Sequence, residues 1–191
     1  MDAFDPTAYG PAFASLLRDA PLSPLDAGHP DPVRRPLLAS LTDDAFQPLR
    51  VVNSDMAAAC RAGLWLLFDF LDDSHRISQE IDAPEGAYWH ALMHRREEDF
   101  SNSKYWFRRV GRHPVFGPLR LAAREAAGDA EHPSAGFLTT QTAWDPFTFV
   151  DLCEASLSED APSEKLCRRI QQAEWQLLFE HCYRSAVELN E

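Results

Sequence analysis

The chain has 191 residues, of which 45% are hydrophobic and 11% aromatic, so it is long enough for one substantial core and short for two. Its formal net charge of -12 disfavours nonspecific binding to nucleic acid or to anionic membranes, because the field of the whole molecule repels both. No apolar run approaches the roughly 18 residues of a membrane span, and the N-terminus lacks the basic and then apolar order of a signal peptide, so we expect a cytoplasmic protein.

The four cysteines match neither a zinc ribbon nor a redox pair, because they are far apart and no Cys-x-x-Cys occurs. They are Cys60, Cys153, Cys167 and Cys182. Each lies in an apolar helical context, so we expect buried free thiols that act as small hydrophobic side chains in a reducing compartment.

Proline dominates the first 50 residues, which hold eight of the chain's 14 prolines. This spacing forbids long helices, because each proline removes a hydrogen-bond donor and crowds the preceding turn. Apolar residues such as Phe13, Leu38 and Phe46 make the segment too apolar for a disordered tail. We therefore expect a Pro-rich arm over 1–50 that wraps on a helical core over 51–191, the whole chain forming one domain.

Helical periodicity begins at Asn53, after which apolar residues recur every three or four positions. The pattern runs out at residues 72–75, Asp-Asp-Ser-His. Apolar residues occupy every face of this predicted helix, which indicates a central, buried one.

Two further helices are predicted in the middle of the chain. Asp82 and Glu85 have the spacing of a capping box, which predicts a helix over about 84–97. A short helix follows, with a natural cap at Ser101 or Asn102 and a glycine as its stop.

The remaining sequence predicts three more helices and no strand. They cover 114–127, the residues after Asp145 and Pro146, and 162 to about 188. Their apolar stripes do not keep a strict heptad, which argues against a coiled coil. The predicted fold class is therefore all-α, a single orthogonal bundle of about six helices.

Residues 88–113 concentrate histidine, arginine, carboxylate and aromatic side chains. Six Lys and Arg stand there against three acids, a local charge of +3 within a chain of -12. A basic island in an acidic protein is an electrostatic reason to expect a small polar or anionic ligand. The candidate ligand-binding residues are Arg95, Arg109, Tyr105, Lys104, Asn102 and Trp89. Alternatively, the arginines pair with acids of the chain and the aromatic rings pack in the core.

His90 and His94 lie four residues apart and therefore on one face of the predicted helix. With Glu98 they are candidate catalytic residues, a histidine acting as general acid or base. Two imidazoles and a carboxylate can also bind zinc or another divalent ion, with His181 as candidate third ligand because it lies in the apolar stripe of the last helix. The motif lacks the internal glutamate of the His-Glu-x-x-His metalloproteases, which excludes that class.

Three interpretations of His90 and His94 stay open: a metal site, a site for an organic or phosphate-like ligand without metal, and a structural role in hydrogen bonding between helices. The rival function is a noncatalytic module that docks an acidic partner or self-associates through its N-terminal arm. A concave pocket beside His94 favours a ligand site. Histidines that point into the protein, together with arginines spread over a convex surface, favour the noncatalytic module.

Four segments of the chain form a recognisable set: WHALMHRRE at 89–97, NSKYWFRRVGRHP at 102–114, WDPF at 144–147 and EWQLLF at 174–179. Together they resemble an uncharacterised family of bacterial and fungal proteins without an established activity. The resemblance spans about residues 85–187. It implies a single domain and transfers no function.

Overall fold

The computed structural model describes residues 4–18, 20–128, 135–158 and 161–188. Within these ranges the protein is all-α, as predicted, and contains no strand. An isolated antiparallel bridge between Val51 and Val187 is the β-type pairing found there. No helix in these ranges has both the length and the apolar composition needed to cross a bilayer.

Ten α-helices make up the described fold. They are α1 Gly10–Leu17, α2 Arg35–Ala39, α3 Ser54–Leu67, α4 Leu71–Ser78, α5 Pro84–Arg96, α6 Phe100–Val110, α7 Phe116–Ala127, α8 Gly136–Thr140, α9 Pro146–Ser158 and α10 Ala161–Ala186. The six predicted helices are present as α3, α5, α6, α7, α9 and α10. The others are short segments, and α4 results from a break that the sequence pattern did not indicate.

The break between α3 and α4 decides the architecture around the histidines. Helix α3 begins as predicted, with Asn53 accepting hydrogen bonds from two backbone N–H groups, but it ends at Leu67 rather than near residue 72. Asp69 then adopts a left-handed φ of 66°, and the chain re-enters a helix at Leu71. Because of this turn, α4 packs against both α3 and α5.

Helix α5 is the central helix of the bundle. Its residues from Gly86 to Arg96 are all buried, and it contacts α3, α4 and α6. The predicted capping box is wrong: Ala83 is the cap residue and makes no side-chain cap bond. Glu85 instead accepts a hydrogen bond from a histidine of α10.

The predicted ends of α6 and α9 are partly confirmed. Asp99, rather than Ser101 or Asn102, caps α6 by accepting the backbone N–H of Asn102, and the helix ends before Gly111 as predicted. Helix α9 begins at Pro146 as predicted, with the preceding aspartate as its cap.

The N-terminal arm packs on the helical core. Buried apolar residues form one continuous cluster that runs from Tyr9 to Val187. Phe13, Leu38 and Phe46 belong to it, which agrees with the prediction that the arm is ordered. Phe13 packs its ring edge against Phe179 of α10.

Candidate functional site

Three histidines converge where α4 packs against α5. One ring nitrogen each of His75, His90 and His94 lies within 4.8 Å of those of the other two. The ring centroid of His75 is 4.4 Å from that of His90 and 5.4 Å from that of His94. The predicted face of α5 therefore holds two of the imidazoles, and α4 supplies the third.

His75 is the functional candidate that sequence reasoning missed. It stands in the Asp-Asp-Ser-His segment that was interpreted as the end of the preceding helix. The available signal was the acidic pair Asp72 and Asp73, which suits the first turn of a new helix and lies there in α4.

His90 is a buried, neutral imidazole. His90 is 3% exposed, and its Nδ1 has no hydrogen-bond partner among the described residues. Burial, together with the neighbouring His75 and His94, which disfavour a positive charge, lowers the pKa of His90 to about 3. At pH 7 the ring is therefore uncharged and offers a lone pair, the form in which histidine binds metals.

His94 is held between a carboxylate and an amide. Its Nδ1 lies 3.1 Å from Glu97 Oε2, and its Nε2 lies 3.1 Å from Asn102 Nδ2. An amide nitrogen only donates, so His94 Nε2 accepts the hydrogen bond from Asn102. The ring proton is therefore on Nδ1, which donates to Glu97. This tautomer places the lone pair on Nε2, where a metal ion would have to displace the Asn102 amide. A carboxylate behind the ring is a common outer partner of metal-binding histidines. Burial lowers the pKa of His94, which Glu97 partly opposes.

Helix α6 covers the three-histidine cluster. Trp106 stacks on His90, with ring centroids 3.9 Å apart and planes inclined by 17°. The guanidinium of Arg109 lies 4.8 Å above the Trp106 ring, and Tyr105, 49% exposed, meets that ring edge-on. The predicted ligand-binding residues Arg109 and Tyr105 are thus near the histidines but separated from them by Trp106.

The prediction that His181 joins His90 and His94 is wrong. His181 belongs to a second cluster with Glu85 and His113. Its Nε2 lies 2.8 Å from Glu85 Oε1. The apolar periodicity of α10 identified the face of that helix on which His181 lies. It could not identify the helix that this face contacts.

Hydrogen bonds of the second cluster suit a carboxylate clamp better than a metal site. The backbone N–H of Val115 donates to His113 Nδ1, so a neutral His113 carries its proton on Nε2, 3.5 Å from Glu85 Oε1. The imidazoles of His113 and His181 hold the pKa of Glu85 well below its usual range. Glu85 thereby ties the start of α5 to α10 and to the loop before α7.

Glu98 and Trp89 lie away from the histidine rings. Glu98 is exposed, with a left-handed φ of 62° in the turn between α5 and α6. The neighbouring Glu97, not Glu98, contacts His94. Trp89 is fully buried and packs against Trp175. Neither position agrees with the predicted catalytic and ligand-binding roles.

Arg95 and Lys104 are engaged by acids of the chain. Arg95 is fully buried and donates to Glu174 Oε2 at 2.6 Å, and the other oxygen of this carboxylate accepts from Tyr88. Lys104 of α6 pairs with Asp151 of α9. For these two residues the structure supports the internal-pairing alternative instead of ligand binding.

Two arginines of the basic island, Arg108 and Arg112, line an open groove. This groove, of about 1050 Å³, lies between the end of α6, the start of α7 and the segment before α9. Its lining includes Arg108, Arg112, Arg120, His113, Phe107, Phe116, Trp144, Asp145 and Phe147. This groove is not the concave pocket predicted beside His94, because Arg108 and Arg112 line it and none of His75, His90 and His94 does.

Comparisons with protein-family models, curated proteins and solved structures found no match to this chain. The resemblance of residues 85–187 to a bacterial and fungal family therefore stays a prediction. Function has to be inferred from geometry.

Proposed function

We propose that this protein binds a divalent transition metal ion of the zinc type through His75, His90 and His94. The observation that carries the proposal is the convergence of one nitrogen from each ring within 4.8 Å. Imidazole suits zinc, copper, nickel and iron, and three such ligands leave a fourth position for water or another donor.

The spacing of the three nitrogens is compatible with an ion after a small adjustment. Tetrahedral coordination with bonds of about 2.1 Å separates neighbouring ligands by about 3.4 Å, so rings up to 4.8 Å apart must close in. His90 is fixed by Trp106 and His94 by Glu97. His75 is the half-buried member of the three, so the adjustment is expected to fall chiefly on its ring.

Electrostatics supports a ligand role for His90 over the predicted role in proton transfer. A general acid or base works best with a pKa near the operating pH. The pKa of His90 is lowered to about 3, chiefly by burial. Such a ring stays neutral and available to a metal throughout the physiological range.

A cytoplasmic location is part of the proposal. Cys60, Cys153, Cys167 and Cys182 are all free and buried. Unpaired thiols are typical of reducing compartments, where a zinc-type site has to compete with cellular metal buffers.

The test is titration of chelator-treated protein with Co²⁺, followed by displacement with Zn²⁺. We expect one equivalent per chain and the visible absorption of Co²⁺ with nitrogen ligands. His75→Ala should abolish it, and because His75 is half-buried this variant is expected to fold. His29→Ala, at an exposed position, is the matched control and should bind normally, as should His181→Ala. Absence of a stoichiometric ion, or full binding by His75→Ala, would refute the proposal.

A further inference from the structure

We propose that the groove between α6, α7 and the segment before α9 binds a small organic anion, an aromatic or heteroaromatic ring that carries a phosphate or carboxylate. None of the three metal-ligand candidates lines this groove. The proposal is therefore independent of metal binding.

Three arginines make the groove electropositive. Arg108 and Arg112 are exposed and Arg120 is half-buried, and within the described ranges none of them forms an ion pair with a carboxylate. Elsewhere Arg95 and Arg96 are each paired with an acid. Guanidinium groups left unpaired in a chain of net charge -12 are an unusual concentration of free positive charge, and they match the planar oxygens of phosphate or carboxylate.

The carboxylate in the lining of the groove, Asp145, is engaged as a helix cap and forms no ion pair with these arginines, and its one negative charge stands against three positive ones. Its Oδ1 accepts the backbone N–H groups of Phe147 and Thr148, at 2.9 and 3.2 Å. Its Oδ2 accepts the Thr148 hydroxyl at 2.7 Å. The charged groups that remain available to a ligand are therefore cationic.

A buried, unpartnered donor also belongs to the lining. Trp144 is 6% exposed, and its Nε1 has no hydrogen-bond partner among the described residues. An indole N–H only donates, and a buried one without an acceptor costs free energy. Because this N–H is shielded from solvent, an acceptor on the ligand could reach it only after the indole turns toward the groove.

Aromatic rings supply the apolar part of the site. The lining contains Phe107, Phe116, Trp144 and Phe147. The guanidinium of Arg108 lies 5.9 Å from the ring centre of Phe147, so charge and ring surface are presented side by side. A groove of about 1050 Å³ with apolar rings and a few convergent polar groups has the composition of a small-molecule site. Large polyanions fit less well, because the charge of the whole chain repels them.

Calorimetric titration with phenyl phosphate tests the proposal, with inorganic phosphate and phenol as separate arms. We expect phenyl phosphate to bind with a Kd of roughly 1 mM or tighter, and each half-molecule at least tenfold more weakly. Raising the salt concentration should weaken binding of the charged probe.

Substitutions of residues that line the groove test whether phenyl phosphate binds there. Arg112→Gln and Arg120→Gln should each weaken phenyl phosphate binding about tenfold, the loss expected for a charge-assisted contact. Arg124→Gln is the matched control, since Arg124 is exposed one turn further along α7 and does not line the groove. Trp144→Phe, which keeps a ring and removes the N–H, should weaken binding with unchanged circular dichroism.

Several results would overturn the proposal. They are no binding of phenyl phosphate, equal binding of inorganic phosphate or of phenol, and an equal loss in Arg124→Gln and Arg120→Gln. Because Arg112 is exposed, its variant is expected to fold, and a normal thermal transition establishes that a loss of binding is local.

Discussion

The indole of Trp106 lies nearly parallel to the imidazole of His90, with 3.9 Å between the ring centroids. Trp106 belongs to α6 and His90 to α5, so the stack joins two helices at the centre of the histidine cluster. It contributes to the burial that keeps His90 neutral, and it fixes the orientation of the ring.

Trp106→Ala should weaken Zn²⁺ binding at the three-histidine site by about tenfold, because residues that orient a metal ligand typically contribute tenfold to a hundredfold in affinity. The affinity is measured by competition with a chromophoric chelator. Tyr105→Ala removes the neighbouring, exposed ring and should leave the affinity within about twofold. Equal effects of the two substitutions would show that the stack does not position His90.

Glu174→Gln should lower the free energy of unfolding by roughly 3–5 kcal/mol, because it leaves the guanidinium of Arg95 buried without its counterion. The two side chains are 1% and 0% exposed and 2.6 Å apart. Urea unfolding measures the change. Glu188→Gln breaks the exposed pair with Arg50 and should cost less than about 1 kcal/mol. A similar small loss in both variants would mean that the buried pair adds little to stability.

Local signals in the sequence were sufficient for several helix ends and for the face shared by His90 and His94. The end of α6 before Gly111 and the start of α9 at Pro146 depend on the neighbouring residues alone. A spacing of four residues places two side chains on one face wherever the helix packs. These features need no knowledge of the tertiary structure.

The acidic pair Asp72 and Asp73 suits the first turn of a new helix, but the turn after α3 could not be predicted, because its stabilising contacts come from residues distant in sequence. No glycine or proline marks it, and Asp69 adopts a left-handed φ of 66°. Arg96 of α5 donates to the Asp69 carboxylate at 2.6 Å and to the Leu66 carbonyl at 3.0 Å. The direction of α4, and with it the place of His75, depends on this long-range interaction.

Arg96→Lys should lower the free energy of unfolding by about 2–4 kcal/mol, since an ammonium cannot replace a planar group that serves several buried acceptors. The Arg96 guanidinium donates to three backbone carbonyls as well as to Asp69. Because the turn at Asp69 positions His75, the same variant should also bind Zn²⁺ more weakly. Arg124→Lys, at an exposed position, should change neither quantity. If the Arg96→Lys protein is destabilised but binds Zn²⁺ with normal affinity, the turn at Asp69 does not position His75 for metal binding.

Glu85 should make the wild-type protein lose stability as the pH falls. His113 and His181, the titratable groups that face it, hold its pKa well below the usual range in the folded state. The unfolded chain therefore binds a proton first, near the ordinary pKa of about 4.3, and the stabilisation is present above that pH and declines below it. In urea unfolding, the advantage of wild type over Glu85→Gln should shrink from about pH 5.5 to about pH 3. A constant difference would mean that the carboxylate is not held by the two imidazoles.

Gly63→Ala should destabilise the protein, because a Cβ at this position of α3 would approach the Trp89 ring to 2.7 Å. The indole is fully buried and cannot yield without disturbing the core, so we expect a loss of roughly 1–3 kcal/mol in urea unfolding even though alanine favours helix. Gly117→Ala is the matched control in α7, where no atom lies within 4 Å of the added Cβ. Helix propensity should raise its stability by up to about 1 kcal/mol. If both substitutions stabilise the protein, Trp89 is not tightly packed against Gly63 of α3.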